Sequence, residues 1–390
     1  MSGVEPCFSA ARTSWPIVPP GGEQRLPQAA ILVVILWGVL LACGPAPCLA
    51  AAGQDSVLLE SGRSVPGVTV LREGYDKVEI DRDGDGKPDE TYPAAEVANV
   101  TYGDAPMSFR QGSVFFRQDR FREAAEYFEK ALNEPGVRAF WLQQHANYFL
   151  GECRRRMGET DKALLLEARR AYAQVIVKVP DGRLVPFALR GLGLCWLEEG
   201  QLEEARREFE KLRDEQRFGP RWALRAKILL ASVSSREGKH SEAMALCDEA
   251  LKALAAEATA KKSSDLVREA RLAQAEVLTA AGEYAQAREV YTQIASDTDE
   301  RDIRTRARAY NSIGDCFLRE GRTREALLAF LRVRILYFEA RDELPRALYG
   351  AAVCFSALKE PERARELVQL LQKEYPNSAW AARAQKELGD

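Results

Sequence analysis

Asp81, Asp83 and Asp85 occupy alternating positions in a short acidic stretch, with Gly86 directly after them and Asp89 just beyond. Carboxylates are hard oxygen ligands, and several of them on one loop can hold calcium. The repeated Asp-Gly at 83–84 and 85–86 is equally the signal of a tight β-hairpin turn, because these residue types tolerate the required backbone angles. Residues 81–90 therefore carry two readings, a structural calcium loop or a polar hairpin turn, and neither is catalytic. The chain has two histidines, His145 and His240, in separate segments whose neighbours read as ordinary helix surface. No nucleophile–base pair, phosphate loop or metal-ligand cluster accompanies them. The expectation is a protein that is not an enzyme, with no small-molecule substrate and no cofactor beyond a structural calcium ion.

The elements that would position such residues fall into four segments. Residues 1–52 form a leader. Its core, 29–42, is an uncharged apolar run, shorter than the roughly 20 residues of a comfortable membrane span and within the roughly 7–15 of a secretory signal core. Arg12 and Arg25 precede it, and the small residues Ala50, Ala51 and Ala52 follow. Leu40-Leu41-Ala42-Cys43-Gly44 resembles a bacterial lipoprotein box, which implies lipidation of Cys43. Cleavage near 50–52 and an uncleaved membrane anchor are the alternatives. Each places the remainder outside the cytoplasm, in the periplasm or cell envelope. The net charge of −3 gives no basic surplus, so nucleic acid is not expected as a partner.

Residues 55–104 read as a small β domain. Val57-Leu58-Leu59, Val68-Thr69-Val70, Lys77-Val78-Glu79-Ile80 and Val97-Ala98-Asn99-Val100 are short β-prone runs separated by turn residues. The acidic stretch lies among them. It is similar to the start of an EF-hand loop, with carboxylates at the first, third and fifth positions, Gly at the sixth and Asp89 at the ninth. It departs where the bidentate Glu belongs, which is Tyr92 here, and its flanks are strand-like.

From Met107 onward one pattern recurs. A small residue is followed about twelve positions later by Ala, and then by an aromatic or apolar residue four further on. The alanines are Ala124, Ala168, Ala205, Ala243, Ala287, Ala326 and Ala364, spaced 37 to 44 residues apart. Their small partners are Gly112, Gly151, Gly193, Ala231, Ala275, Gly314 and Ala352. Small residues at both sites let two helices cross closely, and a turn glycine such as Gly200 or Gly321 ends the first helix. The pattern resembles the tetratricopeptide repeat (TPR), a helix–turn–helix unit of about 34 residues. The resemblance implies an all-α solenoid, a right-handed superhelix of about seven repeats over 107–376. Residues 377–390 read as a capping helix, because the last repeat would otherwise expose an apolar face. The excess over the family length is expected in inter-repeat loops such as 258–265. Tyr375-Pro376-Asn377-Ser378 is similar to endings found in repeats of bacterial envelope proteins.

Cys153, Cys195, Cys316 and Cys354 each stand two residues after the small site of their repeat, one equivalent inward position. Stacked equivalents lie about 10 Å apart, beyond the roughly 7 Å reach of a disulfide, so buried free thiols are expected. In the resembling family the first helix of each repeat lines a concave groove. The corresponding positions include Arg117, Tyr148, Arg155, Arg156, Arg190, Arg225, Arg236, Asn311, Arg319, Arg346 and Tyr349. So many arginines suit forked recognition of carboxylates on a protein or peptide partner, and they equally suit a solvated charged face. The Lys and Asn pattern of repeats that clamp chaperone tails is absent. The overall expectation is an extracytoplasmic protein-interaction scaffold, membrane-associated through its leader where that leader is lipidated or retained. A calcium-dependent adhesion module and a self-assembling, membrane-anchored repeat protein are the alternatives.

Overall fold

Each key alanine marks a helix crossing. In a computed structural model, residues 54–134, 139–256, 264–299 and 301–389 are described. The leader with its 29–42 run and Cys43, and most of the 258–265 loop, lie outside the described residues. Among the described residues, no helix is long and apolar enough to cross a membrane.

Seven antiparallel helix pairs follow one another: α1 (Met107–Arg117) with α2 (Phe121–Leu132), α3 (Ala139–Met157) with α4 (Ala163–Lys178), and α5 (Val185–Glu198) with α6 (Leu202–Lys211). After a one-turn α7 (Glu215–Phe218) come α8 (Pro220–Arg236) with α9 (His240–Ala256), and α10 (Ser264–Ala281) with α11 (Tyr284–Asp297). The last pairs are α12 (Ile303–Arg319) with α13 (Thr323–Leu336), and α14 (Leu344–Ala357) with α15 (Pro361–Glu374). A final α16 (Ala379–Leu388) is capped by Ser378, whose hydroxyl accepts from the Ala381 amide at 3.0 Å. Its Ala381 and Ala384 close the apolar end of the last pair.

The seven alanines are all buried in the second helix of their pair. Length above the family norm was expected in loops. Part of it lies instead in the helices themselves, since α3 has 19 residues and α10 has 18. Extra residues at a helix's outer end leave the crossing register untouched, so the core does not select against them. In the second pair the turn 158–162 and the start of α4 absorb the longer spacing before Ala168.

Where the residue four after the alanine is aromatic, it acts as a wedge. Phe330 on α13 is fully buried between α12 and α14. A Cβ added at Gly314 would lie 2.7 Å from its ring, and one at Gly350 would lie 2.5 Å away. The ring therefore fills space that only hydrogen-sided residues leave, and it ties the sixth pair to the seventh. Cys153, Cys195, Cys247, Cys316 and Cys354 are buried free thiols in these cores. Burial raises the thiol of each, to about 12 for Cys153, Cys195, Cys247 and Cys354, so they are inert apolar filling at neutral pH.

Six of the seven turns between paired helices carry one residue in the left-handed region, and the 158–162 turn carries none. Gly200, Gly238, Gly282 and Gly321 supply that residue with φ of 74–85°, but Asp119 and Lys359 take the same conformation at 58° and 63°. A Cβ is disfavoured there. Lys359→Gly is expected to raise stability by about 1 kcal/mol, visible as a higher thermal midpoint. An unchanged or lower midpoint would show that the lysine side chain offsets its backbone cost.

Ahead of the helices lies a five-stranded antiparallel sheet in the order β4-β3-β2-β1-β5. Its strands are β1 (Asp55–Leu59), β2 (Ser64–Glu73), β3 (Lys77–Asp81), β4 (Glu90–Pro93) and β5 (Val97–Thr101). Its alternate valines and Ile80 pack on Trp141, Leu142 and Ala146 of α3. Tyr102 stacks on Trp141 with ring centroids 4.3 Å apart. The sheet thus covers the apolar side of the early repeats, the role a cap plays in a repeat array.

A buried carboxylate fixes this docking. Glu73, at the end of β2, is fully enclosed. Its oxygens accept from Tyr102 Oη and Arg183 Nε at 2.7 Å and from Gln144 Nε2 at 2.8 Å, and they meet His145 Nε2 at 2.7 Å. The Arg183 amide donates to the Glu73 carbonyl at 3.0 Å, and Gly74 bridges Gly182. His145, read from sequence as helix surface, is instead buried in this cluster. Its partner arrives from a strand 72 residues away, which local sequence does not reveal.

Candidate partner-binding site

The first helices of successive pairs lie side by side, and three of them carry a continuous aromatic row. The Tyr148 ring on α3 meets Phe187 on α5 with centroids 6.1 Å apart, and Phe187 meets Trp222 on α8 edge-on at 4.8 Å. All three are half-buried, so one side of the row is packed and the other reaches solvent. Phe187 and Trp222 stand one helical turn before Arg190 and Arg225, which sets each arginine beside an aromatic on the same helix face. Arg225 lies over the Trp222 ring at 4.9 Å.

The arginines around this row differ in what they already hold. Arg155 donates to Glu198 at 2.7 Å and more weakly to Glu152 at 3.4 Å. Arg225 forks onto Glu269 at 2.8 and 3.0 Å, and Arg236 donates to the Leu197 carbonyl at 2.6 Å. Arg156 and Arg190 make no ion pair or hydrogen bond among the described residues, and the Arg190 Nε is buried without a partner. Burial raises the Tyr148 phenol, and the Glu152 charge raises it further against Arg190, Arg155 and Arg156. The same arginines hold the Glu152 carboxyl low despite its burial. Tyr148, Glu152, Arg155, Arg156 and Arg190 therefore form one electrostatic neighbourhood.

The later repeats are arranged differently. Arg346 pairs with Asp315, and Arg308 donates to Glu276 at 2.7 Å. Buried Asn311 donates to the Glu343 carbonyl at 2.9 Å and to its carboxylate at 3.0 Å. The Tyr349 hydroxyl donates to Glu387 on the capping helix, and its ring rests 5.3 Å from Trp380. Arg117 and Arg319 are exposed. Of the groove positions carried over from sequence, then, Tyr148, Arg155, Arg156 and Arg190 come together. Arg225 and Arg236 lie on the next repeat. Asn311, Arg346 and Tyr349 are engaged within a separate C-terminal cluster.

The acidic stretch spans the β3–β4 turn. Carboxylate oxygens of Asp81, Asp83 and Asp89 all lie within 4.8 Å of one another. Asp81 accepts from the Gly84 and Gly86 amides at 2.7 and 2.9 Å, and Asp89 accepts from the Arg82 amide at 2.6 Å. Those backbone bonds hold the Asp81 carboxyl below its ordinary value. Asp85 turns away, bonding the Lys87 amide at 2.8 Å. The turn thus has hairpin bonding and a convergent carboxylate trio together.

This is a helical-repeat protein whose distinctive surface is an aromatic and arginine row on the first helices of its second to fourth pairs. Two models of the tetratricopeptide repeat match it, one over residues 109–176, 165–220 and 272–337 and another over 346–378, together more than half of the chain. The chain belongs to the tetratricopeptide-repeat family. Among solved structures, a tetratricopeptide-repeat protein from Parabacteroides merdae is 17% identical, with 73% of this chain and 98% of that one covered and a TM-score of 0.46. A Rap protein complexed with competence and sporulation factor is 12% identical, with 72% and 95% covered and a TM-score of 0.44. The apo quorum sensor NprR from B. thuringiensis is 17% identical, with 72% and 81% covered and a TM-score of 0.40. No curated protein matches the chain.

Proposed function

We propose that the protein is a non-catalytic, extracytoplasmic scaffold that binds an extended segment of a partner protein along α3, α5 and α8. The observation that carries this reading is the half-buried row Tyr148–Phe187–Trp222 beside Arg156 and Arg190, whose guanidinium groups make no ion pair or hydrogen bond among the described residues and feel the Glu152 charge only at longer range. Aromatic side chains give a partner large, rigid contact area, and unpaired guanidinium groups fork onto carboxylates. The partner this fits is a protein segment carrying apolar side chains and at least one carboxylate. The apolar run 29–42 supports export or attachment to a membrane.

The test is crosslinked capture from native cells with wild type and with an Arg156→Ala, Arg190→Ala double variant. Both guanidinium groups help hold the buried Glu152 carboxyl in its charged form, so thermal melts of the two proteins accompany the capture and confirm that the variant is folded at the capture temperature. Loss of a captured protein by about tenfold is expected, the scale of one or two charge-assisted hydrogen bonds. Equal capture by both would place the interaction elsewhere.

The convergence of Asp81, Asp83 and Asp89 favours a second, compatible role for the acidic turn as a structural calcium site. With affinity in the range of extracellular modules, 5 mM calcium should raise the thermal midpoint by about 2–5 °C over EDTA. Asp83→Asn with Asp89→Asn should abolish the difference. Superimposable melts of the wild type would leave the turn as a polar hairpin.

A further inference from the structure

Four of the eight exposed large apolar side chains among the described residues lie on or directly after α13; α4, with Leu166 and Val177, is the other second helix that exposes any. Two residues after the key alanine, five other repeats place Glu126, Arg170, Arg207, Glu289 or Glu366, the fourth places Ala245, and the sixth places Leu328. Ten residues after it, Lys178, Asp297 and Glu374 correspond to Leu336. Leu328 and Ile335 are 68% and 65% exposed and stand seven residues apart, so they share one helix face. Leu336 and Phe338 extend the patch at 59% and 62% exposure. Single exposed apolar residues are ordinary, but four within eleven positions, three on α13 and one in the turn after it, are not.

The charge around the patch runs opposite to that of the whole chain. Residues 322–341 hold five arginines and two glutamates, in a protein of net charge −3. Arg322 is paired with Glu325. Arg324, Arg332, Arg334 and Arg341 have no ion pair among the described residues. Arg324 and Arg332 stand four residues on either side of Leu328, so cationic and apolar side chains alternate along one stripe.

We infer that this face of the sixth repeat seats on an anionic lipid surface. A stable protein interface buries about 800 Å² on each partner, far more than four side chains in one stripe provide. Interfacial membrane binding needs only a few inserted apolar side chains with basic residues at the headgroups. A weak contact of this kind also becomes effective beside a second membrane signal, and the chain carries the apolar run 29–42. The inference concerns the exposed face of the second helix of the sixth pair and does not depend on what the α3–α5–α8 row binds.

Hydrogen exchange read by mass spectrometry tests it, using the full chain with phosphatidylcholine vesicles containing about one-third phosphatidylglycerol. Exchange over 328–341 should slow at least about fivefold on these vesicles, while the corresponding segment of α11, 289–297, stays unchanged. Pure phosphatidylcholine should give little protection. Leu328→Ser, Ile335→Ser, Phe338→Ser changes only exposed positions, so it should fold as wild type and lose the protection. Vesicle-bound protein with no slowing over 328–341 would overturn the inference, since another segment would then be the anchor. So would equal protection on both lipids. Protection without vesicles that grows with protein concentration would overturn it too, by assigning the face to a second copy of the chain.

Discussion

Glu73→Ala is expected to destabilise the protein by about 3–5 kcal/mol and to release the sheet from the helices. Four side chains from three separate segments converge on this carboxylate, and the substitution leaves the Arg183 guanidinium buried without its counter-charge. Removing one partner of such a cluster is far more costly than the cluster's net worth, because the desolvated charge remains. The same site sets an acid dependence. Burial pushes the Glu73 carboxyl up, and the His145 and Arg183 charges, with hydrogen bonds from His145 and Tyr102, override that and hold it at about 2 against an ordinary 4.5. A carboxyl depressed by folding contributes stability above its unfolded value, and that contribution is lost as pH falls toward its folded value. Between about pH 4.5 and 2 the wild type should therefore lose about 3 kcal/mol that Glu73→Gln, already destabilised at neutral pH, does not lose over the same range. Parallel acid limbs for the two proteins would contradict this account of the cluster.

Phe330→Ala is the second large effect, at about 3–5 kcal/mol, because a fully buried ring is removed from between two helix pairs. In a repeat array each unit is stabilised chiefly by its neighbours, so the loss should appear as early unfolding of the seventh pair and α16 rather than of the whole chain. Exchange protection would fall first over 344–388. The glycines that accommodate the ring supply a sharper check. Gly350→Ala should cost about 1–3 kcal/mol in the wild type by overpacking against Phe330, and much less in the Phe330→Ala background. Additive costs would mean that the glycine is needed for a reason other than the ring.

The parts of the fold that were legible in the sequence are those with a local cause. The helix crossings recur because Gly or Ala must face Ala at a fixed spacing. Six of the seven turns recur through one left-handed residue, although Asp119 and Lys359 show that glycine is not obligatory there and the 158–162 turn does without one. Cys153, Cys195, Cys316 and Cys354 could be placed because their offset from the crossing is constant. Features decided over long distances were not legible. Glu90–Pro93 forms an edge strand, but it is short and ends in proline, and its pairing with β3 closes the acidic turn. The Glu73 cluster joins residues 29 to 110 positions apart, and neither His145 nor Arg183 carries a local mark of it. The aromatic row was half visible. Tyr148, Arg190 and Arg225 were found by carrying family positions onto the helices, whereas Phe187 and Trp222 lie one turn earlier on the same faces. Extending the face by one turn would have found them.

We propose that the first-helix row, and not the outer surface, holds a protein partner. The most direct measurement places a photo-crosslinking amino acid at Phe187 in one variant and at Glu289, on the outer face of α11, in another, and irradiates each in the native cell. The account predicts a discrete crosslinked band for the Phe187 variant that weakens when Arg156 and Arg190 are also replaced by alanine, with none at Glu289. The same band from both positions, or a band at Glu289 alone, would contradict it.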